Sequence, residues 1–228
     1  MTKTPTTTAA RTYGPRQLAD RVGLTEWQRE RARRIGLIPD PDPATGRWSA
    51  AVVEDLAAQA DAVLAAVGDL PDVGARRAED YLAEKLGVEL ASGTAAELAR
   101  RGHLPIQGAY KDHTLYCGLT LQRGITRRTV LAASRAGRLH QRDDLPGLLG
   151  VRDSDVGHLI RAGLLVPAEE VASSYHRGIL VPLYRQADLD RLQRSPRIDW
   201  AAVRATGPGR RSPLAQLPTA APKENRHG

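Results

Sequence analysis

The chain has 228 residues, with 33 Lys plus Arg against 26 Asp plus Glu and a formal charge of +7. That length accommodates one to three small domains, and the positive excess makes a polyanion the first partner to test. No apolar run approaches the roughly 18 residues of a membrane span, residues 1–10 lack the apolar stretch of a signal peptide, and the single Cys117 excludes an internal disulfide and a Cys-based zinc site. A cytoplasmic protein is the default expectation.

Residues 1–12 are Thr-rich and polar, and disorder is expected there. A first unit follows over 13–70. Leu18 to Gly23 reads as a short helix stopped by glycine, and Thr25-Glu26-Trp27-Gln28 has the form of a capping box that starts a second helix. That helix is the most arginine-dense in the chain, with Arg29, Arg31, Arg33 and Arg34 beside Glu26 and Glu30. Gly36 and Pro39 end it, a turn-rich stretch carries Arg47 to Trp48, and residues 50–67 read as one helix with Val53, Leu56, Val63, Leu64 and Val67 on an apolar face. That face packs against another repeat or serves as a docking surface for a second copy or a protein partner, and a monomer is compatible too.

A second, degenerate unit spans 71–140. Its first helix ends at Gly87, an insertion of two falls near Ser92-Gly93, and its second helix ends at Gly102. Residues 107–116 read as a hairpin tipped at Lys111-Asp112-His113. The segment 125–139 then reads as a helix capped by Thr126. At 100° per residue, Arg127, Arg138, Arg135 and Arg128 fall near 0°, 20°, 80° and 100°, an arc suited to a row of phosphates. Residues 99–142 as a whole carry 9 basic and 1 acidic group, whereas 60–98 carry 3 and 8.

The third unit spans 141–206. Leu145 to Gly150 repeats the glycine-stopped helix, and Val156, Leu159 and Ile160 form the apolar stripe of the next one, with Arg152, Asp153, Asp155, His158 and Arg161 outward. An excursion over 168–182 carries His176 and Arg177 and closes on Tyr184, followed by Asp188-Leu189 and Leu192. From 207 to 228 a Pro-rich tail is expected to be disordered, and residues 201–228 carry 5 basic and 1 acidic group.

These units are copies of one pattern. Leu18-Ala-Asp-Arg-Val-Gly23, Leu82-Ala-Glu-Lys-Leu-Gly87 and Leu145-Pro-Gly-Leu-Leu-Gly150 start 64 and 63 residues apart. Gly36 and Gly163 lie thirteen residues beyond Gly23 and Gly150, and Trp48, Val53 and Leu56 fall on Tyr184, Leu189 and Leu192. Two glycine-stopped helices, a hairpin closing on an aromatic and a further helix resemble the winged helix-turn-helix of MerR-type regulators and excisionases. The resemblance spans most of 13–195 and is fullest from Leu145 to Leu192. It departs from the family in lacking a long coiled-coil helix after the last wing, since Pro196 and Gly207-Pro208-Gly209 intervene.

The expected fold is therefore mainly α with small β wings, arranged as tandem winged helix-turn-helix repeats. The resemblance implies a sequence-specific regulator bound to double-stranded DNA on an asymmetric site and associated with the nucleoid. An architectural DNA-binding role, or a protein-interaction scaffold, are the alternatives. On the same resemblance the second helices of units one and three read bases through Arg29, Arg31, Arg33, Arg34, Arg152, His158 and Arg161, while Arg47, Lys111, His113, His176 and Arg177 on the wings reach the backbone. No cofactor and no metal are expected, because the six histidines show no ligand spacing and no catalytic constellation is legible.

Overall fold

The computed structural model describes residues 11–173, 176, 178–207 and 209–220. It is mainly helical with small antiparallel sheets. No helix among the described residues is long and apolar enough to cross a membrane.

The first unit runs β1 (Thr12–Tyr13), α1 (Pro15–Val22), α2 (Glu26–Arg34), β2 (Trp48–Ser49), α3 (Ala50–Ala58) and α4 (Ala60–Val67). The second runs α5 (Ala75–Leu86), α6 (Thr94–Arg100), β3 (Ile106–Tyr110), β4 (His113–Tyr116), α7 (Gly118–Arg123) and α8 (Arg127–Gly137). The third runs β5 (Leu139–Gln141), α9 (Leu145–Leu149), α10 (Asp153–Arg161), β6 (Glu169–Ala172), β7 (Leu180–Arg185), α11 (Gln186–Gln193) and α12 (Trp200–Ala205), with a final 3-10 turn, Pro213–Gln216.

Each unit opens on an extended residue paired antiparallel with the aromatic that closes its excursion. The pairs are Tyr13 with Trp48, Val73 with Tyr116 and His140 with Tyr184. Five residues past each aromatic, Val53, Leu121 and Leu189 are buried. The sharp turn between the first two helices also recurs. Gly23, Gly87 and Gly150 all take a left-handed φ between 61° and 76°, a conformation that costs a side chain more than it costs glycine. The next amide then donates back into the first helix, Leu24 to Ala19, Val88 to Ala83 and Val151 to Pro146.

Three apolar cores result, one per unit, centred on Leu18 and Trp48, on Leu82 and Tyr116, and on Leu145 and Tyr184. Equivalent positions fill them: Ala32, Leu98 and Leu159 from the second helices, and Ile38, Leu104 and Leu165 just beyond. Burying each of these leucines contributes about 1.5–3 kcal/mol. A fourth helix recurs as well. Val63 and Val67 of α4, Val130 and Ala133 of α8, and Trp200 and Val203 of α12 each enter their own unit's core.

Several expectations are corrected. Residues 50–67 are two helices, broken at Gln59 with φ −108° and ψ 15°. Their apolar residues Val53, Leu56, Val63 and Val67 are consumed in the first core, so that face is not open to a partner. Thr12 belongs to β1 and not to a disordered terminus; residues 1–10 lie outside the described residues. Leu139 and His140 pair with β7 and so belong to the third unit. The supposed free tail is also part of that unit. Leu214 is buried in the third core, Leu217 packs against it, the Ala220 amide donates to the Arg161 carbonyl at 2.9 Å, and the Arg152 guanidinium donates to the Arg210 carbonyl at 3.0 Å. Residues 221–228 lie outside the described residues.

Candidate nucleic-acid interface

The arginines of α2 are mostly occupied. Arg31 is 3% exposed; it donates to the Val67 carbonyl at 2.7 Å and the Leu70 carbonyl at 2.8 Å, pairs with Asp72 at 2.7 Å, and stacks on Trp27. Arg34 reaches the other oxygen of Asp72 at 3.0 Å, Arg33 pairs with Asp40 at 3.0 Å, and Arg29 is held by Glu30. Gln28 of the capping box also donates to the Gly68 carbonyl at 3.0 Å. The face carrying Gln28, Arg31 and Arg34 thus faces the turn from α4 to α5 and clamps unit one to unit two. Arg31 is a structural residue, and the expectation that it reads bases is corrected. Asp72 anchors this clamp. Burial alone would push its carboxyl up, but the Gly118 amide and the Arg34 and Arg31 guanidiniums more than offset that and hold it below the usual range.

The third unit's second helix is similarly tied at its start. Arg152 caps α10 and is bound to the fully buried Asp155 at 3.1 Å and to the Gly207 and Arg210 carbonyls. Its predicted role in reading bases is therefore corrected to a structural one. His158 and Arg161 contact each other; Arg161 is exposed, and Asp153, Ser154 and Gly157 share the outer side of the same helix. Arg47 is also anchored, donating to the Thr12 hydroxyl and carbonyl and to Gln17 at 2.8–3.0 Å, which corrects its assignment to DNA. No strand forms in the first unit's excursion other than β2; an Asp42–Gly46 turn stands there.

The second unit differs. Arg127, Arg128, Arg135 and Arg138 are all exposed, and none of their guanidiniums makes a hydrogen bond or ion pair with a described residue. Thr126 caps α8 through its hydroxyl, and the opposite face, Val130, Ala133, Ser134 and Gly137, is buried. The close approach to α6 explains Gly137: a Cβ there would lie 2.6 Å from the Gly93 carbonyl oxygen. The helix ends at Gly137, so Arg138 stands just past it in extended backbone. Leu131, within the same arc, is half-buried. The hairpin β3–β4 presents Lys111 and Asp112 at its tip, both with positive φ, and exposed His113 beside them. His176 is exposed at the tip of the third hairpin; Arg177 lies outside the described residues.

Sequence reasoning missed two cations. Arg76 and Arg77 open α5, are exposed and unpaired, and line a depression of about 570 Å³ together with Tyr110 and His113. A signal was present. Both α5 and α8 carry two arginines in the first turn and no acid there, where the helix dipole disfavours cations by about 0.3–1 kcal/mol each. Two helices that begin against their own dipole are suited to an anion outside. Compared with known proteins, the chain matches no family model, no curated protein sequence and no solved structure.

Proposed function

We propose that this chain is a sequence-specific double-stranded DNA-binding regulator whose units act as tandem winged helix-turn-helix modules of the kind found in MerR-type regulators and excisionases. The observation that carries the reading is the row of four exposed, unpaired guanidiniums, Arg127, Arg128, Arg135 and Arg138, on a segment free of acidic residues. Phosphates are its natural counter-ions, since Arg matches their geometry in a bidentate fashion and releases condensed cations on binding. Arg76, Arg77, Lys111 and His113 extend the same unit's basic surface. Base reading then falls to the outward side of α10, with His158 and Arg161, more than to α2, whose guanidiniums already have partners. The three units present different side chains, so the bound site is asymmetric.

The test is anisotropy of a labelled duplex titrated with the full chain across a salt series. The wild-type affinity should fall steeply with salt, with a log–log slope of at least about 3.6 in magnitude, and replacing the four arginines with Ala should remove up to about 3.6 from that slope on any sequence. Arg161→Ala should instead change which duplex is preferred. A slope unaltered by the fourfold replacement refutes the proposal.

A further inference from the structure

Among the described residues Tyr110 is the one aromatic side chain left exposed; the other rings are buried or half-buried. At 63% exposure its ring forgoes the burial that the others obtain. It ends β3, where the register pairs it with His113 and pairs Gly108 with Leu115. Alternate strand positions share a face, so these four residues form one side of the hairpin. Tyr110, His113 and Leu115 line the depression of about 570 Å³ together with Arg76 and Arg77 of α5. The space beside Tyr110 on that side is open, since a Cβ at Gly108 would meet nothing within 4 Å.

Three cations and a histidine surround this ring. The side chains of Arg76, Arg77, Lys111 and His113 are exposed, and none makes a hydrogen bond or ion pair with a described residue. The Lys111 ammonium lies over one face of Tyr110, 5.3 Å from the ring centroid. Asp72, the carboxylate that lines the depression, is already taken by Arg31, Arg34 and the Gly118 amide. The hairpin tip adds a second observation. Lys111 and Asp112 take positive φ, 46° and 65°, in a two-residue loop that favours Asn and Gly. A lysine in that conformation is held against its backbone preference, and it places an ammonium next to the exposed ring. An open aromatic surface flanked by cations matches an unstacked base and its phosphates, the base lying on the ring and the phosphates on the cations. Bases inside a duplex are stacked on one another and offer no free face to such a ring.

We propose that the β3–β4 hairpin and the first turn of α5 form a binding site for single-stranded nucleic acid, in which an unpaired base stacks on Tyr110 and the adjoining phosphates lie against Arg76, Arg77 and Lys111. The inference goes beyond the duplex-binding reading and does not rest on it. That reading is tested on α8 and α10, and this one on the hairpin and α5.

The experiment is anisotropy of labelled 12-mers titrated with the full chain: single-stranded dT12, rU12 and an abasic strand that keeps the phosphates of dT12 without its bases. The wild type should bind at least one of the two base-bearing strands about tenfold more tightly than the abasic one, and comparison of dT12 with rU12 tells a DNA source from an RNA source. Tyr110→Ala should abolish that preference. Tyr110→Ile, which keeps the strand propensity but has no ring, should do the same, and Tyr110→Trp should retain it. Thermal melting checks that these exposed-site variants fold. Arg76→Ala with Arg77→Ala should instead weaken all strands alike, lowering the salt slope by up to about 1.4. Equal affinity of the wild type for base-bearing and abasic strands overturns the proposal, as does a preference that survives loss of the ring or binding unaltered by the double arginine replacement.

Discussion

Arg31→Ala separates a guanidinium that reads DNA from one that holds the molecule together. Its loss removes donors from the Val67 and Leu70 carbonyls and one of the two cations from Asp72. Truncating one partner of a buried pair costs about 3–5 kcal/mol, because the remaining charge is left without compensation. Here Asp72 keeps Arg34 and the Gly118 amide, and its side chain is 17% exposed, so the lower end, about 3 kcal/mol, is expected. At a urea m-value of about 2 kcal/mol per molar the midpoint of the transition containing units one and two should fall by about 1.5 M. Arg31→Lys should recover only part of this, since a single ammonium cannot reproduce the planar fork. Urea unfolding followed by tryptophan fluorescence reads the transition through Trp27, which stacks on Arg31. An unfolding curve like that of the wild type, accompanied by altered duplex preference, refutes the structural assignment.

Three further outcomes follow from the packing. Leu214→Ala should destabilise the third unit by about 2–5 kcal/mol, as expected for a buried leucine and not for a residue of a loose tail; a melting temperature equal to wild type refutes it. Gly137→Ala should cost about 1–3 kcal/mol by forcing α8 off the Gly93 carbonyl and the Glu97 side chain, measurable by thermal unfolding. In acid, burial alone would raise Asp72, Glu97 and Asp155, but hydrogen bonds and neighbouring arginines hold all three below their ordinary values. A carboxyl depressed in the folded state stabilises above its unfolded pKa and loses that stabilisation as pH falls toward the folded value. Stability should therefore decline below about pH 4, and Glu97→Gln should flatten that decline; an unchanged pH profile argues against it.

The repeat was legible because its carriers are residues whose role is local. A glycine in a left-handed turn and an aromatic that closes a strand pair declare themselves without knowledge of distant contacts, which is why Gly23, Gly87, Gly150, Trp48 and Tyr184 located the units. Arg31 could not be placed in this way. Its helix shows six charges and little apolar periodicity, and its partner Asp72 stands 41 residues away. The ordered end failed for a related reason: Leu214 and Leu217 sit among prolines, and only the space left beside α10 and α12 gives them a core to enter.

The distribution of charge gives these observations a common cause. Residues 60–98 are the acidic stretch of the chain. Two of their carboxylates act as internal counter-ions: Asp72 takes Arg31 and Arg34, and Glu97 takes Arg100, Arg101 and Arg185. The first clamps unit one to unit two, and the Arg185 bridge at 2.9 Å joins unit two to unit three. Those five arginines contribute to the formal charge but offer little to an outside polyanion, whose phosphates would have to displace short, partly buried ion pairs. The guanidiniums of α8 have no such competitor. A phosphate approaching them loses only solvent, so the electrostatic attraction of the chain is concentrated on its middle unit even though its arginines are spread along most of its length.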